Sequence, residues 1–331
     1  MSNKGIALIG GAGFLGSKLT AKLEEVAEPY NIYDINTENF LDKDSVSMDV
    51  RDYSSLDKLK GHSSIVNLAA EHRDDVWPLS RYDDVNVLGA KNICMAARKY
   101  SINKIIFTSS VAIYGFAPTN TDESGDANFF NDYGRTKYLA EQEYKKWQAE
   151  EPDIRTLVIV RPTVIFGEGN RGNVYNLLRQ IASGKFVMFG AGKNIKSMAY
   201  VENVAAFIEY SMSLKPGLHN YNYIDKPDLD MNTLVSVSRK TLFNKNNVGL
   251  RLPAFLGIAI GYLADMMSKA TGKTLPVSSI RVKKFMGTTQ FSSSVAESGF
   301  IPPIGLEEGL ARTLCYEFLE DNSDKRTFET E

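Results

Sequence analysis

The sequence predicts an α/β protein built on a doubly wound parallel sheet, with a smaller C-terminal lobe. Two observations carry this. Short runs rich in Ile and Val alternate with stretches of helical period, the pattern of βαβ units. The apolar runs are continuous, not alternating, as strands buried on both faces require. A chain of 331 residues, 43% hydrophobic, also exceeds one typical domain of about 150 residues.

Strands are expected over residues 5–9, 31–33, 45–48, 64–68, 104–108 and 156–160, with helices over 15–25, 83–99 and 133–150 between them. Beyond Arg161-Pro162 come Gly-rich turns, helices over about 174–183 and 202–212, and a strand over 219–223 that returns to the sheet. The expected division is therefore a cofactor domain over 1–165 with returning segments at about 198–224. A substrate lobe takes 166–197 and 225–320, and a frayed polar tail takes 321–331.

Charge and cysteine content exclude other classes. Thirty-eight Lys and Arg stand against 40 Asp and Glu, a formal charge of -2, which gives no field for nucleic acid. Cys94 and Cys315 form no metal-binding or disulfide pattern, and no metal site is expected. Residues 1–4 are short and polar, so a cytoplasmic protein is expected. The apolar run 252–264 is shorter than the ~20 residues needed to cross a bilayer. It, or the longer stretch 253–267, suits either a membrane interface or a buried helix.

The first strand runs into Gly10-Gly11-Ala12-Gly13-Phe14-Leu15-Gly16 and then a helix. Glycines at i, i+3 and i+6 make a tight turn and let a diphosphate approach backbone N–H groups at a helix N-terminus. Asp34 closes the second strand, where a carboxylate accepts both ribose hydroxyls of adenosine and repels a 2′-phosphate, so NAD is expected over NADP. Asp49-Val50 and Leu68-Ala69-Ala70 follow the third and fourth strands, where adenine and the rest of the cofactor pass.

Tyr-x-x-x-Lys occurs twice, and chance alone supplies about one match in such a composition. Tyr100 and Lys104 straddle a helix end and a strand start. Tyr133 and Lys137 share a helix face and follow Ser109-Ser110 at the end of the fifth strand. A phenol of ordinary pKa ~10 is a base at neutral pH only if its anion is stabilised. An ammonium one turn away does this, while Ser110 holds the substrate oxygen.

Together with Asn86, Ser109-Ser110-Val111-Ala112-Ile113-Tyr114-Gly115, Arg161-Pro162-Thr163-Val164-Ile165-Phe166-Gly167 and Tyr200-Val201-Glu202-Asn203-Val204-Ala205, these motifs resemble the extended short-chain dehydrogenase/reductases, in the group of NAD-dependent sugar epimerases and dehydratases. The resemblance runs from about residue 5 to 318. It implies a Rossmann-type domain, catalysis by Tyr133, Lys137 and Ser110, and cofactor contacts from Asn86, Ser109 and Pro162 besides the residues above.

Segments 69–76, 167–178, 196–201 and 277–285 further resemble bacterial epimerases acting on N-acetylglucosamine linked through diphosphate to undecaprenol. That resemblance implies C4 inversion for surface polysaccharide (O-antigen) synthesis, with Glu71, His72, Arg171, Lys196 and Arg281 as substrate residues. Lys283 and Lys284 are further candidates for a diphosphate or an anionic lipid surface. Peripheral contact with the cytoplasmic face of the inner membrane and a homodimer are expected with it. Two positions depart from UDP-sugar epimerases: an Asn near the diphosphate is replaced at about Val164, and an Arg at about Lys196, which loses the planar fork. The alternatives are a UDP-N-acetylglucosamine 4-epimerase and an NAD-dependent oxidoreductase on a lipid or steroid alcohol.

Overall fold

The computed structural model describes residues 4–37, 45–73, 75–272 and 279–329. A seven-stranded parallel sheet lies at its centre, in the order β11-β6-β5-β4-β1-β2-β3. The strands are β1 (Ile6–Ile9), β2 (Tyr30–Asp34), β3 (Ser45–Ser47), β4 (Ser64–Asn67), β5 (Lys104–Thr108), β6 (Thr156–Pro162) and β11 (Gly217–Tyr223). The order reverses between β1 and β4, which opens a crevice at their carboxyl ends, the usual ligand position in such sheets.

Strand alternation explains why both sheet faces need covering. Ala7, Ile9, Ile65, Ile105, Phe107, Leu157 and Ile159 point to one face, against α3 (Gly89–Tyr100) and α4 (Asp132–Ala149). Ile6, Leu8, Ile32, Val66, Ile106, Val158 and Val160 point to the other, against α1 (Phe14–Glu25) and α6 (Val201–Ser211).

A third cluster joins α5 (Asn173–Ala182), α7 (Met231–Phe243) and α10 (Leu306–Phe318) around Leu178, Leu234 and Leu310. Three two-stranded ribbons hang outside the sheet: β7 (Val164–Phe166) with β10 (Met198–Tyr200), β9 (Ile195–Lys196) with β12 (Leu229–Asp230), and β8 (Val187–Phe189) with β13 (Leu250–Leu252).

Two expectations are revised and one open alternative is closed. The helix expected over 83–99 is broken into α2 (Ser80–Tyr82), a wide π-type turn at Asp83–Leu88 and then α3. This turn holds Asn86 inside, where its amide has three partners. The tail is not wholly frayed: the Phe328 N–H donates to Gly169 O at 2.8 Å and its carbonyl accepts from Arg171 N at 2.9 Å. The stretch at 253–267 is α8 (Ala254–Thr271), and it is not a buried helix: Gly257 and Gly261 face inward while Phe255, Leu263 and Met266 are 67%, 59% and 67% exposed. α9 (Ser279–Met286) packs beside it.

Candidate active site

The loop after β1 is shaped by what a side chain would strike. Gly10 has φ +74°, and a Cβ there would stand 2.5 Å from Ala69 N; one at Gly16 would stand 2.3 Å from Gly11 O. The first closeness seats this loop against Leu68-Ala69 after β4, and the second packs α1 onto the strand. At Gly13, by contrast, a Cβ would meet only Gly10 O, at 3.4 Å. Gly13 caps α1 without a side-chain hydrogen bond, so the helix N-terminus presents its N–H groups to an incoming anion.

Asp34 ends β2 and accepts from Ala12 N and Asn36 N, both at 3.0 Å. One carboxylate oxygen serves each donor, which leaves lone pairs for ribose hydroxyls. Asp49 is differently engaged. Arg51 binds it through Nε at 2.9 Å and an Nη at 2.7 Å and holds its carboxyl below the usual range. Val50 is buried and packs on Gly89.

Ser109 and Ser110 follow β5. The Ser109 hydroxyl is buried and finds no hydrogen-bond partner among the described residues, an arrangement that a ligand's polar group resolves. Ser110 Oγ accepts from Ala112 N at 3.1 Å and caps the 3₁₀ turn Val111–Tyr114. α4 begins beside that turn, with Asn131 Oδ1 accepting from Gly134 N at 2.9 Å. Gly134 permits the approach, since a Cβ there would lie 2.4 Å from Ala112 O. Ser110 and Tyr133 are thereby brought side by side, near enough for the Ser110 hydroxyl to act on the Tyr133 phenol.

Burial raises the Tyr133 phenol to about 12, and the hydrogen bond with Ser110 opposes the rise. One turn on, Lys137 is buried with its ammonium 4.5 Å from the centre of the Phe107 ring. Burial lowers its pKa to about 7, with the charge of Glu141 opposing the fall. The rival pair is elsewhere. Tyr100 donates to Asp57 at 2.5 Å, and Lys104 reaches the carbonyls of Met212 and Leu214.

Several residues support this centre. Asn86 Oδ1 accepts from Glu71 N at 2.9 Å, and its Nδ2 donates to Glu71 O at 3.0 Å and Thr136 Oγ1 at 2.9 Å. It ties the loop after β4 to α4. Glu71 is buried and pairs with Arg81 at 2.6 Å. His72 opens to solvent; its pKa is lowered by the surrounding protein and by the charge of Lys137. Pro162 is buried at the end of β6.

The other substrate candidates lie on the outer segments. Arg171 pairs with Glu317 at 2.5 Å and covers the Tyr175 ring at 4.2 Å. Lys196 donates to Thr289 Oγ1 at 3.2 Å. Val164 is 40% exposed on β7. Arg281 and Lys284 are on α9, with both side chains outside those described. Lys283 on the same helix donates to the Tyr262 hydroxyl at 3.0 Å. No group of three metal-binding side chains occurs among the described residues.

Sequence reasoning missed a buried hub beneath the site. Arg161 Nε and Nη2 bind Glu141 at 2.9 and 2.7 Å, while Nη1 donates to the Tyr114 hydroxyl at 2.6 Å and to Glu123 O at 3.1 Å. Glu141 is fully buried. A signal existed: Glu141 interrupts the apolar stripe Ala140, Tyr144, Trp147 of α4, and an acid on such a stripe needs a partner.

The profile of the NAD dependent epimerase/dehydratase family matches residues 6–222. The N-acetyl-alpha-D-glucosaminyl-diphospho-ditrans,octacis-undecaprenol 4-epimerase of Escherichia coli O157:H7 is 49% identical over 99% of this chain and 100% of its own length. Among solved structures, the Thermus thermophilus UDP-glucose 4-epimerase in complex with NAD matches with a TM-score of 0.69 at 17% identity, over 94% of this chain and 98% of that one. The UDP-N-acetylglucosamine 4-epimerase of Methanobrevibacter ruminantium M1 matches with a TM-score of 0.70 at 20% identity, over 96% and 98%.

Proposed function

This chain belongs to the NAD-dependent epimerase/dehydratase family, and from that premise we propose how it works as an NAD-dependent 4-epimerase of N-acetylglucosamine carried on undecaprenyl diphosphate. The observation that carries the reading is the assembled Ser110, Tyr133 and Lys137, in a chain 49% identical over its full length to an epimerase of that substrate.

NAD supplies a hydride acceptor that returns the hydride to the opposite face of the sugar ring. Gly13 and the start of α1 would hold its diphosphate and Asp34 its adenosine ribose, and the orphaned Ser109 hydroxyl would bond to it. Lys137 would bind the other ribose, and its ammonium, together with the positive nicotinamide ring of bound NAD, would bring the Tyr133 phenol down from about 12 toward the range of a working base. Asn86, whose amide is spent on Glu71 and Thr136, acts as a positioning residue.

Ser110 donates to the C4 oxygen of the sugar while Tyr133 removes the hydroxyl proton, so that C4 becomes a ketone as hydride departs. The keto sugar turns within the cleft. Tyr133 then returns its proton to the oxygen when hydride arrives on the other face, and no net redox change results.

The segments 166–197 and 225–320 serve as the substrate lobe, and the product enters polysaccharide assembly, O-antigen included. Val164, at about the position where the resemblance to UDP-sugar epimerases implies an Asn, stands 40% exposed, which suits a ligand without a nucleoside. No described helix is long and apolar enough to cross a membrane. α8 instead rests on the bilayer surface with Phe255, Leu263 and Met266 toward the acyl chains. An assay of one preparation on UDP-N-acetylglucosamine and on the undecaprenyl-diphosphate-linked sugar tests this reading. Conversion of the lipid-linked sugar at far higher kcat/KM is expected, and turnover of the UDP-sugar alone overturns it.

A further inference from the structure

The end of the chain lies against the glycine loop. After α10 it turns at Asn322, whose Nδ2 donates to Tyr316 O at 2.8 Å, and runs to the Gly-rich segment 167–172. There Phe328 forms its two backbone bonds, and its ring lies 5.7 Å from that of Phe14. Phe14 is the first residue of α1, next to the open position at Gly13. The Arg326 carbonyl sits over Gly169, and its guanidinium covers the Phe328 ring at 4.5 Å. Burial lowers the pKa of that guanidinium, and the negative charge of Asp34 opposes the fall. The strap therefore lies against both the segment 167–172 and the start of α1, beside the glycine loop.

Charge gives the strap a task. A dinucleotide brings two phosphates, yet residues 10–17 contain no cation. Lys18, the next basic residue, is turned to Glu168 and Glu202 at 3.6 and 3.5 Å. Arg326 is a cation near Asp34 carried from outside the sheet. An epimerase also releases neither cofactor nor keto sugar between half-reactions, which favours slow exchange.

We propose that residues 322–329 are a clasp on the cofactor, in which Arg326 binds the adenosine-diphosphate half of NAD and Phe328 locks the strap to Phe14. The proposal rests on the NAD-dependent reading of the site. Its test reads cofactor release and needs no turnover, so it stands apart from the choice of sugar.

Full-length holoenzyme, a chain ending at Asp321, Arg326→Ala and Arg326→Lys are diluted into NAD-free buffer, and released NAD is trapped by a coupled dehydrogenase. Release should quicken about tenfold or more in the shortened chain and in Arg326→Ala, and much less in Arg326→Lys, which keeps the charge. Circular dichroism monitors folding, and KM for the sugar is measured with NAD in excess, where it should stay unchanged. Release within about twofold of full-length in Arg326→Ala overturns the proposal. So does fast release from the full-length chain, or loss of NAD only where helical signal is also lost.

Discussion

Gly134→Ala tests whether the closeness of α4 to the 3₁₀ turn sets the catalytic geometry. By helix propensity alone, Ala at this first-turn position stabilises by roughly 0.5–1 kcal/mol. Contact opposes it. The new Cβ would stand 2.4 Å from Ala112 O and 3.1 Å from Phe129 Cβ, whereas contacts under 3.0 Å are essentially never seen. The nearest atom is backbone, so the turn bearing Ser110 or the helix bearing Tyr133 must retreat by about 0.6 Å, given that floor. Overpacking of this kind costs about 1–3 kcal/mol, which outweighs the propensity gain. A displacement of ~1 Å costs a positioned reaction on the order of 10²-fold, so kcat should fall about tenfold or more. NAD retention should change less than kcat, because Gly10, Gly13 and Asp34 lie on other elements and only Lys137 moves with α4. Gly305→Ala is the control, with nothing within 4 Å of its Cβ and φ -65°. Steady-state kinetics on the lipid-linked sugar, with melting curves for all three proteins, decide the matter. A Gly134→Ala enzyme with the kcat of the Gly305→Ala control would refute the reasoning.

Tyr133→Phe should lower kcat at least ~10²-fold with the fold intact, while Tyr100→Phe, which only loses a bond to Asp57, should be near wild type; the reverse order in a kinetic assay would exchange the two pairs. Asp34→Ala should weaken NAD and admit NADP, as titration of both cofactors would show, and unchanged NAD affinity would remove Asp34 from the ribose site. Phe255→Asp with Leu256→Asp should abolish sedimentation with anionic vesicles while circular dichroism is kept, since both side chains already face solvent at 67% and 38% exposure; undiminished sedimentation would detach α8 from the membrane. Burial raises the Asp225 carboxyl from 3.8 to about 6, so its stabilising share is complete below pH ~4 and lost as pH rises through about 6. The unfolding free energy of wild type relative to Asp225→Asn should therefore drop by about 1.4 kcal/mol from pH 5 to pH 8, and a flat difference in chemical denaturation would contradict the raised value.

The sheet was legible because its signals are local. Runs such as Ile105–Phe107 are apolar on both faces, and the glycine spacing, Asp34 and the Tyr133–Lys137 pair each work within one strand, loop or turn. What escaped depends on distant partners. Arg171 is held by Glu317, 146 residues away, and Asn86 becomes a clamp only when Thr136, 50 residues on, folds beside it. The strap has no local signal, since Phe328 is one aromatic in a polar tail and Gly169 is far back in the chain. For α8, periodicity marked an apolar helix but could not say which neighbours would fail to cover it.

The hub at Arg161 bears on how such a protein can change. One guanidinium answers Glu141, Tyr114 and Glu123 O together, so replacing it strands a buried carboxylate at about 3–5 kcal/mol. That is a large share of a total stability of about 5–15 kcal/mol. A route to a different core must pass through a barely folded sequence, and selection meets a wall there. The two-residue ribbon β9–β12 and the three-residue ribbon β8–β13 impose no such toll, because each is held by a few backbone pairs. Inheritance is thereby split: the chemistry is frozen by mutual dependence, and the range of sugars and carriers it meets is left free to drift.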